Sequence, residues 1–210
     1  ANPNLGEARF LMGQALLDSG NPVGAEVELG KANELKYSSD QVVPLLARTL
    51  LTLGQTKKVT DELAKTQLTS PESKADLQTS VGTAYLAAGK RDLAQAAFDS
   101  AIAAVPDYGP AVIGLARIKA GNRDLPGALA LLGATLDKSP KLYDAWQLKG
   151  DILAAQGDVK QAAEAYRKAL DAKPDYLPAH SALVSRLLDE GNLDGAGKQE
   201  KKKKKVSSSH

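Results

Sequence analysis

The sequence predicts an all-α fold, an α-solenoid of about six helix-turn-helix repeats wound into a right-handed superhelix. Three columns of residues carry that prediction. A glycine recurs at Gly20, Gly54, Gly89, Gly157 and Gly191, in steps of 34, 35, 68 and 34. A small residue recurs at Ala25, Ala94, Ala128, Ala162 and Ala196, with Val59 between the first two, and a proline recurs at Pro71, Pro106, Pro140 and Pro174. One period shared by three columns marks stacked units, none of which can bury its apolar faces alone.

The clearest unit spans residues 143–175. Its first helix sets Trp146, Leu148, Ile152, Leu153 and Ala155 near the i, i+3, i+4, i+7 pattern of one buried face. Gly150 allows a second helix to approach, and Gly157 suits the left-handed residue that closes a helix. Asp158, with Gln161 three residues later, forms a capping-box pattern for the second helix. In that helix Ala162, Ala165 and Ala169 keep the pair close, Tyr166 fills the gap, and Pro174 forces a turn. The order Trp, Gly, Leu, Gly, Ala, Tyr, Ala, Pro resembles the tetratricopeptide (TPR) repeat.

In chain order, residues 1–5 read as the end of a truncated upstream repeat, because Pro3 lies 68 residues before Pro71. Repeat one (6–39) places Met12, Gly13, Leu16, Ala25, Leu29 and Ala32 in core columns, with Asn21-Pro22 opening its second helix. Repeat two (40–74) is the weakest, with Pro44 in the first turn of its first helix, Arg48 in the close-packing glycine region and Thr66 in place of an alanine. Local mobility is expected there. Repeat three (75–108) is regular, with Gly82, Tyr85, Gly89, Ala94, Phe98, Ala101 and Pro106. Repeat four (109–142) carries its closing glycine early, at Gly121, and has Gly127 and Gly133 inside its second helix. Repeat five is 143–176. Repeat six (177–199) is incomplete, with Leu183, Leu187, Gly191 and Ala196, and Glu200 and Lys203 take the slots of Tyr166 and Ala169.

Residues 200–210 form a lysine-rich tail, expected to be frayed or disordered, whose five lysines at 201–205 give it a solvated polar end. A basic patch for anionic lipid, nucleic acid or polysaccharide is the functional alternative. Lys198 and the run at 201–205 supply six of the 27 basic residues and Glu200 one of the 25 acidic ones. Residues 1–197 therefore hold 21 basic and 24 acidic groups, a formal charge of −3, which does not favour nucleic-acid binding. The absence of cysteine excludes a disulfide framework and a thiolate metal site. No apolar run approaches the roughly 18–20 residues of a membrane span.

No catalytic residues, metal ligands or cofactor motif emerge. The histidines are His180 and His210, and His180 sits in the Trp146 column, where a structural role is expected. No glycine-rich phosphate loop, paired-histidine motif or EF-hand spacing occurs. The chemistry left is binding. In stacked helix pairs the first helices line a concave groove. The positions pointing into it by register are Gln14, Arg48, Thr79, Thr83, Arg117, Gln147 and Asp151, with Glu7, Asp18, Gln41, Asp76, Ile113, Asp144, Ser181 and Ser185 alongside. Arg48 and Arg117 could grip a carboxylate or sulfate by their forked donors, or be ordinary solvated charges.

The segments LGEARFLMGQALLDSGNPVGAEVELGKA, DQVVPLLARTLLTLGQ, KADLQTSVGTAYLAAGKRDLAQAAF and DAWQLKGDILAAQGDVKQAAEAYRKAL resemble the amino-terminal part of the TPR-repeat lipoproteins of bacterial PEP-CTERM/exosortase systems. The likeness runs from about Asn2 to Gln199. It implies a non-enzymatic scaffold in the periplasm or cell envelope, holding a protein or peptide in its groove and serving exopolysaccharide-linked protein sorting. It also implies membrane attachment only through an upstream lipid anchor absent from this chain. The family supplies no catalytic residues to carry over. An exopolysaccharide-binding module and a spacer with an empty groove are the rival expectations, and self-association is left open.

Overall fold

The computed structural model describes residues 2–208, and every regular element among them is helical. The helices are α1 (Pro3–Asp18), α2 (Pro22–Glu34), α3 (Ser39–Thr52), α4 (Thr56–Lys58, running into a π-helical turn Val59–Leu63) and α5 (Pro71–Ala87). They continue as α6 (Arg91–Ala104), α7 (Gly109–Gly121), α8 (Leu125–Lys138), α9 (Tyr143–Ala155), α10 (Val159–Ala172) and α11 (Leu177–Ser207). The chain divides into two compact units, Ala1–Ile118 and Lys119–His210.

Each of the first five repeats ends its first helix in the same way. Gly20, Gly54, Gly89 and Gly157 have φ of +78°, +73°, +74° and +82°, and Arg123 does the same work at +66°. The following N–H reaches back to the last turn in every case, Asn21 to Leu16 O at 2.8 Å and Asp124 to Lys119 O at 2.9 Å among them. The closing residue of repeat four is therefore Arg123 and not Gly121. Gly121 still lies inside α7, so the 34-residue step is kept by a residue with no glycine signature.

The core follows a large-on-small rule. Leu29, Leu63, Phe98, Leu132 and Tyr166, one per second helix, are all buried. In repeats three and five the surface facing them is glycine: a Cβ on Gly82 would lie 2.6 Å from the Phe98 ring, and one on Gly150 2.5 Å from the Tyr166 ring. In repeat two that column is held by the fully buried Ala47, so Arg48 is one position off it and points outward. Ala25, Val59, Ala94, Ala128 and Ala162 are completely buried, as their column requires. Ala196 and Lys203 lie outside the described side chains.

Several expectations change. Residues 3–5 are the first turn of α1, with Asn2 accepting from Asn4 N and Pro3 opening the helix as Pro71 opens α5. The 68-residue spacing thus relates two helix-starting prolines. Met12 is 52% exposed, although its column is buried at Leu46 and Val81, because no helix pair covers α1 on that side among the described residues. Trp146 is half-buried, its Nε1 donating to Pro140 O at 2.8 Å.

Pro44 lies in the second turn of α3, since that helix begins at Ser39. Its missing N–H leaves the Asp40 carbonyl without a helical partner. Ser73 Oγ donates to that carbonyl at 2.8 Å, while the Asp40 carboxylate accepts from Thr69 N at 2.8 Å, Ser70 N at 3.2 Å and the Thr69 hydroxyl. These bonds hold the Asp40 carboxyl below its usual range, the Thr69 hydroxyl first among them. The irregularity of repeat two falls instead on its second helix, which is short and partly π-helical.

Repeat six departs most. Gly191 does not turn the chain, and α11 continues as one 31-residue helix through the lysine run. Glu200 pairs with Lys204 at 3.1 Å, one turn apart, and Lys204 and Lys205 stand in the last turn, where cations suit the helix dipole. The expected frayed tail is helical to Ser207. The side chains of Lys202, Lys203 and Val206, and residues 209–210, lie outside the described part.

Candidate binding face

The first helices of unit Ala1–Ile118 carry four of the predicted positions in one column: Gln14, Arg48, Thr83 and Arg117, all exposed. Each lies six residues before the residue that closes its helix, so the repeat geometry sets them on equivalent outward faces. Thr79, half-buried, stands one turn before Thr83. Thr79 Oγ1 donates to Ala75 O at 2.8 Å and Thr83 Oγ1 to Thr79 O at 2.9 Å. Both hydroxyl protons are thus spent on the helix, and what the two side chains offer a ligand is acceptor lone pairs.

Arg48 is held in place. Its Nε lies 3.4 Å from Asp76 Oδ1, linking α3 to α5. Nε makes the contact and the side chain as a whole stays 58% exposed. Burial raises the Asp76 carboxyl above its ordinary value even against the pull of Arg48. Tyr108 is raised too, by its burial and then by the Asp76 charge, with Arg48 opposing. Arg48, Asp76 and Tyr108 form one electrostatic cluster. Arg117 is exposed and has no ion pair among those described.

In unit Lys119–His210 the predicted pair Gln147 and Asp151 behaves differently. Gln147 is 8% exposed, so it belongs to the interior and not to the ligand face. Its Nε2 donates to Asp151 Oδ1 at 3.3 Å, while its Oε1 is buried without a partner. Tyr166 Oη donates to the same Asp151 oxygen at 2.7 Å. Burial, then this hydrogen bond, pushes the Tyr166 phenol well above its ordinary range. Asp151 itself is exposed. Sequence reasoning missed Tyr108 and Tyr166 as polar partners, having read Tyr166 as packing alone. The only signal was the hydroxyl itself, since a buried phenol needs an acceptor.

His180 Nε2 lies 2.6 Å from Pro174 O, the arrangement that Trp146 makes with Pro140 one repeat earlier, so its role is to tie down a turn. Among the described residues no group of three or more His, Asp or Glu could hold a metal ion, and no helix is long and apolar enough to cross a membrane. An open cleft of about 470 Å³ beside Trp146 is lined by Pro140, Lys141, Lys168, Asp171 and Ala172.

Residues 113–176 match the sequence model of the tetratricopeptide repeat family. The fold is similar to that of TTC0263, a thermophilic TPR protein of Thermus thermophilus, with 21% identity and a TM-score of 0.75 over 87% of this chain and 99% of that one. It is also similar to YrrB, described as a TPR protein with an unusual peptide-binding site, at 20% identity and a TM-score of 0.51 over 83% of this chain and 89% of that one. MamA follows at 18% identity and a TM-score of 0.52, over 81% and 92%. Residues 113–176 thus match tetratricopeptide repeats, and over most of its length the chain has a fold similar to that of TPR proteins. Proteins built this way are generally interaction scaffolds for proteins or peptides, and generally not enzymes.

Proposed function

We propose that this chain is a non-enzymatic scaffold that holds a protein or peptide along the outward faces of its first helices, in the concave groove such stacks form. The observation that carries this reading is Arg48, paired through Nε with Asp76 on a side chain that stays 58% exposed, in the same column as the exposed Arg117. Two forked donors on one face suit carboxylates of an extended ligand. The resemblance to the lipoproteins of PEP-CTERM/exosortase systems supports a role in exopolysaccharide-linked protein sorting at the bacterial cell envelope, facing the periplasm.

An affinity pull-down from envelope extract of an exosortase-bearing bacterium tests the reading, comparing the parent chain with Arg48→Ala/Arg117→Ala. A protein retained by the parent and lost by the variant is expected, and its carrying a PEP-CTERM segment supports the sorting role. Identical sets on both baits would contradict groove binding and favour the spacer. The exopolysaccharide alternative needs open aromatic faces. Trp146, the largest ring of the chain, has Lys168 Nζ at 4.6 Å and Lys149 Nζ at 5.2 Å over it, which weighs against sugar stacking there.

A further inference from the structure

In repeats one, three and five the first helix buries one edge against its second helix; α11 takes the place of a first helix, and among the described residues no second helix folds back on it. On α10 it packs through the buried Ala179 and the partly buried Ala182 and Leu183. Its other face leaves Val184 56%, Leu187 42% and Leu188 63% exposed. These three follow the i, i+3, i+4 spacing of one helical stripe, too concentrated to be the scattered apolar surface of an ordinary helix. Val184 stands in the column held by Gly13, Gly82 and Gly150, where the first helix is kept small for Leu29, Phe98 or Tyr166 of the second helix. Whatever covers α11 must bring medium aliphatic side chains at a wider spacing, not an aromatic.

We infer that the occupant is a second copy of this chain, bound by antiparallel packing of two α11 helices about the segment 184–188. The stripe is self-complementary: Leu187 and Leu188 of one copy fit beside Val184 of the other in ridges-into-grooves fashion. Charges agree with that direction. Antiparallel packing carries Lys198 and Lys201 of each copy past the start of the other copy's α11, where Asp171 and Asp175 lie exposed. Arg186 lies on the opposite side of α11 from the stripe, paired with Asp189 at 3.3 Å, so it sets no like charge against its copy. An interface built on three apolar side chains per copy falls at the weak end of specific association.

Light scattering after size-exclusion chromatography, across a series from low to high micromolar protein, tests this. The parent is expected to double in apparent mass as concentration rises. Leu187→Glu/Leu188→Glu is expected to stay monomeric with unchanged helical circular dichroism, and Leu11→Glu/Met12→Glu, on the exposed apolar side of α1, to dimerise like the parent. Because the sequence has no cysteine, Leu187→Cys gives a second reading that does not depend on the glutamate variant folding: oxidation should link it into a dimer, and should leave Leu11→Cys unlinked. A parent that is monomeric throughout, a dimer that survives the α11 substitutions, or one lost through the α1 substitutions would overturn the inference.

Discussion

Arg48 Nε lies 3.4 Å from Asp76 Oδ1, and among the described ion pairs this one joins the first helix of a repeat, α3, to the first helix of the next, α5. The pair links the stacking of repeats to the face proposed for binding. Burial wins over attraction at Asp76, which therefore binds its proton more tightly folded than unfolded. Such a group lowers stability above its folded pKa, and the penalty fades as pH falls through that value toward 3.8. Arg48→Ala removes the opposing charge. The Asp76 titration, followed by carboxyl NMR shifts, is expected to move further up; an unchanged midpoint would show that the pair does not act on Asp76.

Asp40 runs the other way. Its carboxyl is held below 3.8 by bonds to Thr69 and Ser70, so its contribution is present above 3.8 and is lost as pH falls through the folded value. Asp40→Asn should lower the melting temperature at neutral pH, with the difference from the parent shrinking in acid. A difference independent of pH would mean that the carboxylate charge is not what matters.

The glycines separate into two kinds. Gly150→Ala puts a methyl 2.5 Å from the Tyr166 ring and should cost about 1–3 kcal/mol by overpacking. Gly133→Ala, inside α8 with nothing within 4 Å of the added carbon, should gain about 0.5–1 kcal/mol from helix propensity. Denaturant melts of the two variants should shift in opposite directions.

Arg123 holds a left-handed conformation at φ +66°, which costs an L-residue about 1–2 kcal/mol. Arg123→Gly relieves that strain and adds back some unfolded-state entropy, so a net gain of up to about 1 kcal/mol is expected in thermal unfolding. No gain would place the strain elsewhere in the turn.

These residues also mark where sequence reading succeeds and stops. The columns were legible because they encode sterics at fixed spacing: Gly82 under Phe98 and Gly150 under Tyr166 leave one permitted size. Arg123 was not, because a left-handed closure is dictated by chain geometry and glycine only makes it cheap. Met12 looks like core in sequence, and only the absence of a covering helix among the described residues exposes it. On the candidate face, the outward column of Gln14, Arg48, Thr83 and Arg117 follows from helical period alone. The burial of Gln147 depends on how neighbouring helices close over it, and the Asp76 tether of Arg48 on an inter-repeat distance, neither of which a period contains.

The central claim is that exposed guanidinium groups on the first helices hold a polypeptide ligand. Isothermal titration calorimetry of the partner retained in the pull-down, against the parent, Arg117→Ala and Arg117→Lys, tests it most directly. The account predicts at least about a tenfold loss for alanine, the size of one charge-assisted bond, and only partial recovery for lysine, which lacks the planar fork. Equal affinities for all three proteins, with equal thermal stability, would contradict it.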